Sequence, residues 1–187
     1  EMCIRDRDKA WQTCSCLGTW HYNRSAYEDN WYKSAETVIH MLIDIVSKNG
    51  NLLLSVPMKG NGTIDDKEEK ILEDIAAWME VNGEGIFDTR PWCIYGEGPS
   101  TETAIPLDGA GFNEGKNAPY TSADIRFVKK GKYLYAHIMK WPSDGKIQIK
   151  SLAIGSPYCK GEIEKVELLG GGKAKFRSCL LYTSPSP

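Results

Sequence analysis

Asn51-Leu52-Leu53-Leu54-Ser55-Val56-Pro57 decides how this chain reads. It is an apolar run bounded by glycines and fed directly by the amphipathic segment that ends Asp44-Ile45-Val46-Ser47-Lys48-Asn49-Gly50. That pattern predicts a strand buried on both faces of an α/β sheet or barrel. In the feeding helix Ser34 is placed to cap, and Ala35, Val38, Ile39, Leu42, Ile45 and Val46 recur at the 3-4 spacing of one apolar face. Lys48 suits the negative C-terminus, and Asn49-Gly50 supplies residue types that tolerate a left-handed stop.

Upstream, Trp11-Gln12-Thr13-Cys14-Ser15-Cys16-Leu17 is β-prone, and Gly18-Thr19 opens a loop running to about Tyr32. Downstream, Asp65 with Glu68 three residues on is a capping box, opening a helix whose apolar face is Ile71, Leu72, Ile75, Trp78 and Met79 and which Asn82-Gly83 stops. Strand, helix, strand, helix in this order implies parallel strands with right-handed crossovers. A closed barrel of this kind needs eight such units, so two imply further units upstream.

After Arg90-Pro91-Trp92 the character changes. Residues 96–121 are rich in Gly, Pro, Asn and Glu and read as a loop or linker. Period-two or β-rich patterning then predicts strands at 124–128, 133–139, 146–152, 162–169 and 173–176. The expected fold class is therefore α/β followed by all-β: the last βα units of a TIM-like barrel over residues 8–95, and a partial antiparallel β-sandwich over 122–178. The ends, 1–7 and 179–187, read as non-native scars and are set aside.

The 23 basic and 25 acidic residues leave a formal charge of -2, which argues against an electrostatic nucleic-acid binder. No apolar stretch approaches the ~20 residues a membrane-crossing helix requires. Cys14 and Cys16 form a C-x-C on the first strand, both on one face by alternation, and no second pair follows at zinc spacing. They read as buried thiols, and neither a metal nor a cofactor is expected.

Several phrases together resemble the α-L-fucosidases of glycoside hydrolase family 29. They are Trp11-Gln12-Thr13 with Gly18-Thr19-Trp20-His21-Tyr22-Asn23, the block from Leu42 to Leu54, and Asp65 through Trp92. The block is similar to the family's L-V-D-x-V-S-K-G-G-N-L-L-L-N-x-G-P, departing from it at Asn49, Ser55 and Val56. Leu134-Tyr135-Ala136, Trp141-Pro142 and Gly145 are similar to the family's C-terminal domain. The resemblance implies retaining hydrolysis of terminal α-L-fucose from an oligosaccharide or a glycoprotein glycan, and export of the full-length enzyme to the periplasm or the cell exterior. Such chemistry needs two carboxyl groups about 5–5.5 Å apart. Neither barrel strand contains Asp or Glu, and the resemblance places both catalytic positions upstream of Trp11, so no catalytic residue is assigned here.

The substrate-binding candidates are Trp20, His21, Gln12 and Trp11. Trp20 aligns with the aromatic of the family's S-[WF]-G-Y stretch. An indole face offers a dry surface to the methyl group of a 6-deoxy sugar, and the alternative is a tryptophan filling a loop core. His21 replaces the family's usual Gly and would narrow the mouth or add a donor. Gln12 stands where many members have Glu and reads as a hydrogen-bonding position or a packed strand residue. Trp11 and Tyr22 read as packing residues with some access to the pocket. His40 and His137 read as structural, and Glu97 and Glu114 as solvated loop charges within reach of a barrel mouth. The rival reading is a carbohydrate-binding or structural β module. Its aromatic platform would be Tyr133, Tyr135 and Trp141, although alternation turns Tyr133 and Tyr135 together toward the core.

Overall fold

The computed structural model describes residues 9–102 and 119–179 of the chain. Along it run β1 (Trp11–Cys16), α1 (Arg24–Glu28), α2 (Ala35–Ser47), β2 (Gly50–Ser55), α3 (Asp66–Asn82), β3 (Arg90–Glu97), α4 (Pro99–Glu102), β4 (Ile125–Lys130), β5 (Tyr133–Ile138), β6 (Glu167–Leu168) and β7 (Gly172–Lys173). The chain divides into two compact units, Glu1–Trp92 with Val128–Tyr135, and Cys93–Phe127 with Ala136–Pro187. Among the described residues no helix is long and apolar enough to cross a membrane.

In the first unit β1 and β2 pair in parallel, in register from Trp11 opposite Gly50 to Cys16 opposite Ser55. Helix α2 joins them as the crossover. Ser34 Oγ accepts from the Thr37 amide at its start, and Asn49 takes a left-handed φ of 65° at its end. Its buried residues include Val38, Ile39, Ile43 and Ile45, each contributing about 1.5–3 kcal/mol by leaving water. Helix α3 begins with the expected capping box: Asp65 Oδ1 accepts from the Glu68 amide at 2.8 Å, and Glu68 Oε2 accepts from the Asp65 amide at 3.4 Å. The Ile71–Met79 face of α3 is only half-buried, and Glu68 is the helix's one fully buried residue.

One expectation fails at β2. The strand is not buried on both faces, for Leu53 is 55% exposed and Asn51 is exposed. Among the described residues β1 is its hydrogen-bonded neighbour and α2 covers one face. Side chains alternate across a strand, so every second residue of β2 points away from that cover.

Strands β3, β4 and β5 hydrogen-bond in that order. β4 and β5 are joined by the two-residue turn Gly131-Lys132, with Gly131 at φ 58°, a connection only an antiparallel pair can use. Ile125, Arg126, Phe127 and Val128 are all buried. Within the second unit the Arg126 guanidinium lies over the rings of Tyr95 and Tyr120, at 5.4 and 5.5 Å, and donates to Ser100 Oγ at 2.9 Å.

The β-rich half departs from expectation in four places. Residues 146–152 form coil and a 3-10 turn, Lys150–Leu152, rather than a strand. Alternation in Lys146-Ile147-Gln148-Ile149 supplies a pattern but no ladder partner, and Ile147 is exposed. The strands expected at 162–169 and 173–176 shrink to the antiparallel pair β6 and β7. Strand β3 was not expected at all, because Pro91 interrupts its alternation. Tyr133 does not face a core either: it is exposed at the β4–β5 turn, with Lys132 Nζ 5.5 Å from its ring centroid.

Candidate functional site

Because β1 and β2 are parallel, their C-terminal ends lie together, and two loops leave from there. The first, residues 18–33, is closed on itself. The Lys33 amide donates to the Leu17 carbonyl at 2.8 Å, the Leu17 amide donates to the Ser55 carbonyl at 3.0 Å, and Lys33 Nζ donates to the Cys16 carbonyl at 2.7 Å. Asn23 caps the short helix α1 through the Ser25 amide at 2.9 Å, and Thr19 Oγ1 donates to the His21 carbonyl at 2.5 Å. Gly18 is required by contact: a Cβ there would meet the Tyr32 ring at 2.9 Å.

This loop holds Trp20, 44% exposed, and His21, also exposed. It also presents Trp31, 57% exposed and following Asn30 at φ 56°. The sequence reading missed Trp31, since nothing in Asn30-Trp31-Tyr32 separates a displayed tryptophan from a packed one. The second loop, 56–64, is a tight turn in which the Lys59 amide donates to the Thr63 carbonyl at 2.8 Å, and Asn61 Oδ1 accepts from the amide and hydroxyl of Thr63.

Trp11 and Gln12 sit at the opposite end of β1, Trp11 five residue steps from Cys16, which at strand rise is about 16 Å. The Trp11 indole is directed to the helix–strand corner, and Gln12 is exposed opposite Asn51. The fold therefore groups Trp20 with His21 and sets Trp11 and Gln12 apart from them. Tyr22 is half-buried beside His21, His40 is half-buried on α2 and His137 half-buried on β5. Glu114 lies outside the described residues. Glu97 is not a solvated loop charge, because in the second unit it accepts from the Lys150 and Ser151 amides at 2.8 Å each and from the Ser151 hydroxyl. Cys14 is exposed and Cys16 half-buried, so the C-x-C is not a pair of buried thiols.

Two carboxyl groups adjoin this end of the strands, Asp65 and Glu68, both fully buried. Burial is the leading cause that pushes the Glu68 carboxyl above its usual range, with the charge of Asp65 adding to it. Three of their four oxygens serve the α3 cap and Tyr32. What the arrangement offers is recognition: an aromatic-bearing loop, held at both ends, at the carboxyl ends of parallel strands, where α/β folds gather their ligands.

Comparison with known proteins places the chain in a glycosidase family. The chain belongs to the α-L-fucosidase family. A family profile described as Alpha-L-fucosidase matches residues 3–84. The plasma α-L-fucosidase of Rattus norvegicus is 32% identical over 180 residues, covering 95% of this chain and 32% of that protein. Among solved structures, the α-L-fucosidase isoenzyme 1 of Paenibacillus thiaminolyticus is 26% identical with a TM-score of 0.61, covering 90% of this chain and 32% of that one. The Thermotoga maritima α-fucosidase in complex with fucose is 26% identical with a TM-score of 0.56, covering 74% and 27%. The chain thus spans about a third of the length of the curated relatives it matches.

Proposed function

We propose that this chain is part of an exo-acting, retaining α-L-fucosidase acting on fucosylated oligosaccharides or glycoprotein glycans, and that it contributes the sugar-side wall of the site. In this reading residues 8–95 are the closing βα units of a TIM-like barrel and 122–178 belong to a C-terminal β-sandwich. The supporting observation is the placement of Trp20 and His21 on a pinned loop at the C-terminal ends of β1 and β2, inside the segment that matches the family. The indole face of Trp20 stacks on the 6-deoxy edge of fucose, burying its methyl group, while His21 donates to or accepts from a ring hydroxyl. The nucleophile and the acid/base come from residues that precede Trp11 in the family pattern. Among the described residues of this part of the chain, the closely spaced buried carboxyls are Asp65 and Glu68, which serve the α3 cap.

The test has two arms. The chain itself should show no turnover of an aryl α-L-fucoside. Tryptophan fluorescence should nevertheless change saturably with L-fucose at millimolar concentration, and the change should vanish in Trp20→Ala. Turnover abolished by mutating a carboxylate within these residues would overturn the assignment of roles, and a fluorescence response unaffected by Trp20→Ala would remove Trp20 from the site.

A further inference from the structure

Beyond its closure on the end of β1, the 18–33 loop is held by the first turn of α3. The Tyr32 hydroxyl donates to Asp65 Oδ2 at 2.5 Å, a contact across 33 positions of sequence. Lys67 Nζ donates to the Tyr27 carbonyl and stands 4.5 Å from the centroid of the Tyr27 ring. The Asp66 carboxylate beside the Tyr27 phenol raises the phenol's pKa above its ordinary value. The same turn reaches toward the 56–64 loop, for the charge of Lys59 acts on the buried Glu68 carboxyl. Glu68 Oε1 is itself buried without a hydrogen-bond partner.

We infer that residues 65–67, the first turn of α3 with its cap, are positioning residues for the sugar-facing loop. They hold Tyr32 and Tyr27, and through them fix where Trp20 and His21 stand. This rests on the reading of Trp20 as the wall of a fucose site, and it adds a device that neither the family match nor the sequence motifs assign. The physical argument is one of distribution. An 18–33 loop fastened only at Leu17 and Lys33 would have closed ends and a free middle. The α3 turn grips it at Tyr27 and Tyr32, between and beside those closures, through one charge-assisted bond to a fully buried carboxylate and one from an ammonium. A stacking surface must be held still before the sugar arrives, because ordering it afterwards subtracts from affinity. Asp65 serves twice, its Oδ1 in the helix cap and its Oδ2 in the grip. Lengthening or shortening the link between α3 and the loop would therefore move the tryptophan without touching it.

The experiment uses the whole chain and three substitutions: Tyr32→Phe, which removes a single hydroxyl; Lys67→Met, which removes the ammonium; and Lys67→Arg, which keeps the charge and a donor. Amide hydrogen exchange is followed at Tyr27, Asp29, Trp31 and Lys33, whose N–H groups bond within or at the base of the loop, and at α2 residues as an internal reference. Tyr32→Phe and Lys67→Met should each speed loop exchange about tenfold, the loss of one hydrogen bond to or from a charged group, with α2 unchanged and Lys67→Arg near the parent. L-fucose affinity, read from Trp20 fluorescence, should weaken by a similar factor in the first two. Loop exchange that stays at the parent rate, or that rises equally in α2, overturns the inference. Faster loop exchange in a protein that shows no fucose response upholds the positioning role and instead removes the fucose reading. Should Tyr32→Phe fail to fold, Lys67→Met against Lys67→Arg carries the same comparison.

Discussion

The Trp11 indole N–H donates to the Lys48 carbonyl at 2.9 Å, joining the start of β1 to the end of α2 across 37 positions. The same ring closes over Gly50, where a Cβ would lie 2.7 Å from both Trp11 Cε2 and Ile45 Cγ2. Trp11 is thus part of the packing at the helix–strand corner, on the side away from Trp20. Replacing Gly50 with Ala should cost about 1–3 kcal/mol by overpacking. A urea melt should show the midpoint falling with its slope unchanged.

Asp124 in the second unit accepts from the Ser100 amide at 2.8 Å and from the amide and hydroxyl of Thr121 at 2.7 and 2.8 Å. Burial pushes its carboxyl up, but the hydrogen bonds from Ser100 and Thr121 together outweigh that and hold it below its ordinary value. A depressed native pKa contributes stability above the unfolded value of about 3.9, lost as pH falls through the folded one. Asp124→Asn should therefore cost about 1–3 kcal/mol at pH 7. Thermal melts taken down the acid range should show the gap to the parent narrowing.

Glu68 has the opposite sign. Its raised carboxyl means that the folded chain holds the proton more tightly than the unfolded one. The site is at its most stabilising below the unfolded value of about 4.3 and weakens as pH rises through the folded one. Glu68→Gln, which keeps the acceptor for the Asp65 amide, should melt above the parent at pH 7 and close on it near pH 4. A variant that melts below the parent at pH 7 would show the charge to be useful there.

The Tyr135 hydroxyl donates to Glu84 Oε1 at 2.5 Å within the first unit. Burial first, and the Glu84 carboxylate second, push this phenol up to about 12. A spectrophotometric titration of phenolate absorbance should show a late-ionising tyrosine lost in Tyr135→Phe. In Glu84→Gln it should move down without reaching the free value of about 10, since burial remains.

Leu53→Lys tests the uncovered face of β2. Large exposed apolar side chains there promote association between copies, and sedimentation velocity should show less self-association in the variant with the melt unchanged.

Local rules were readable in advance and distant partners were not. Ser34, Asp65 with Glu68, and Asn82-Gly83 mark helix ends by hydrogen bonds between near neighbours, and the helices begin and end where those residues stand. The parallel pairing of β1 and β2 followed from their order with α2. By contrast, Ile147 and Ile149 carry a strand's alternation without a neighbour to complete it. Pro91 hid β3, whose neighbour β4 begins 28 positions after it ends. The motif that holds Trp20 and His21 placed them together on the loop after β1, where both are exposed. The ties of Tyr32 to Asp65 and of Tyr27 to Lys67 join residues separated by 33 and 40 positions, and no spacing rule announces such a pair.

The left-handed backbone at Asn49 has a consequence for how this chain can vary. The family pattern carries glycine there, and asparagine is among the few chiral residues that visit this conformation routinely. The exchange alters chemistry while preserving handedness, so β2 leaves α2 along the same path. Alanine at that position would meet a penalty of about 1–2 kcal/mol, felt first as a misdirected strand and only then, at a distance, by the loops that strand supports.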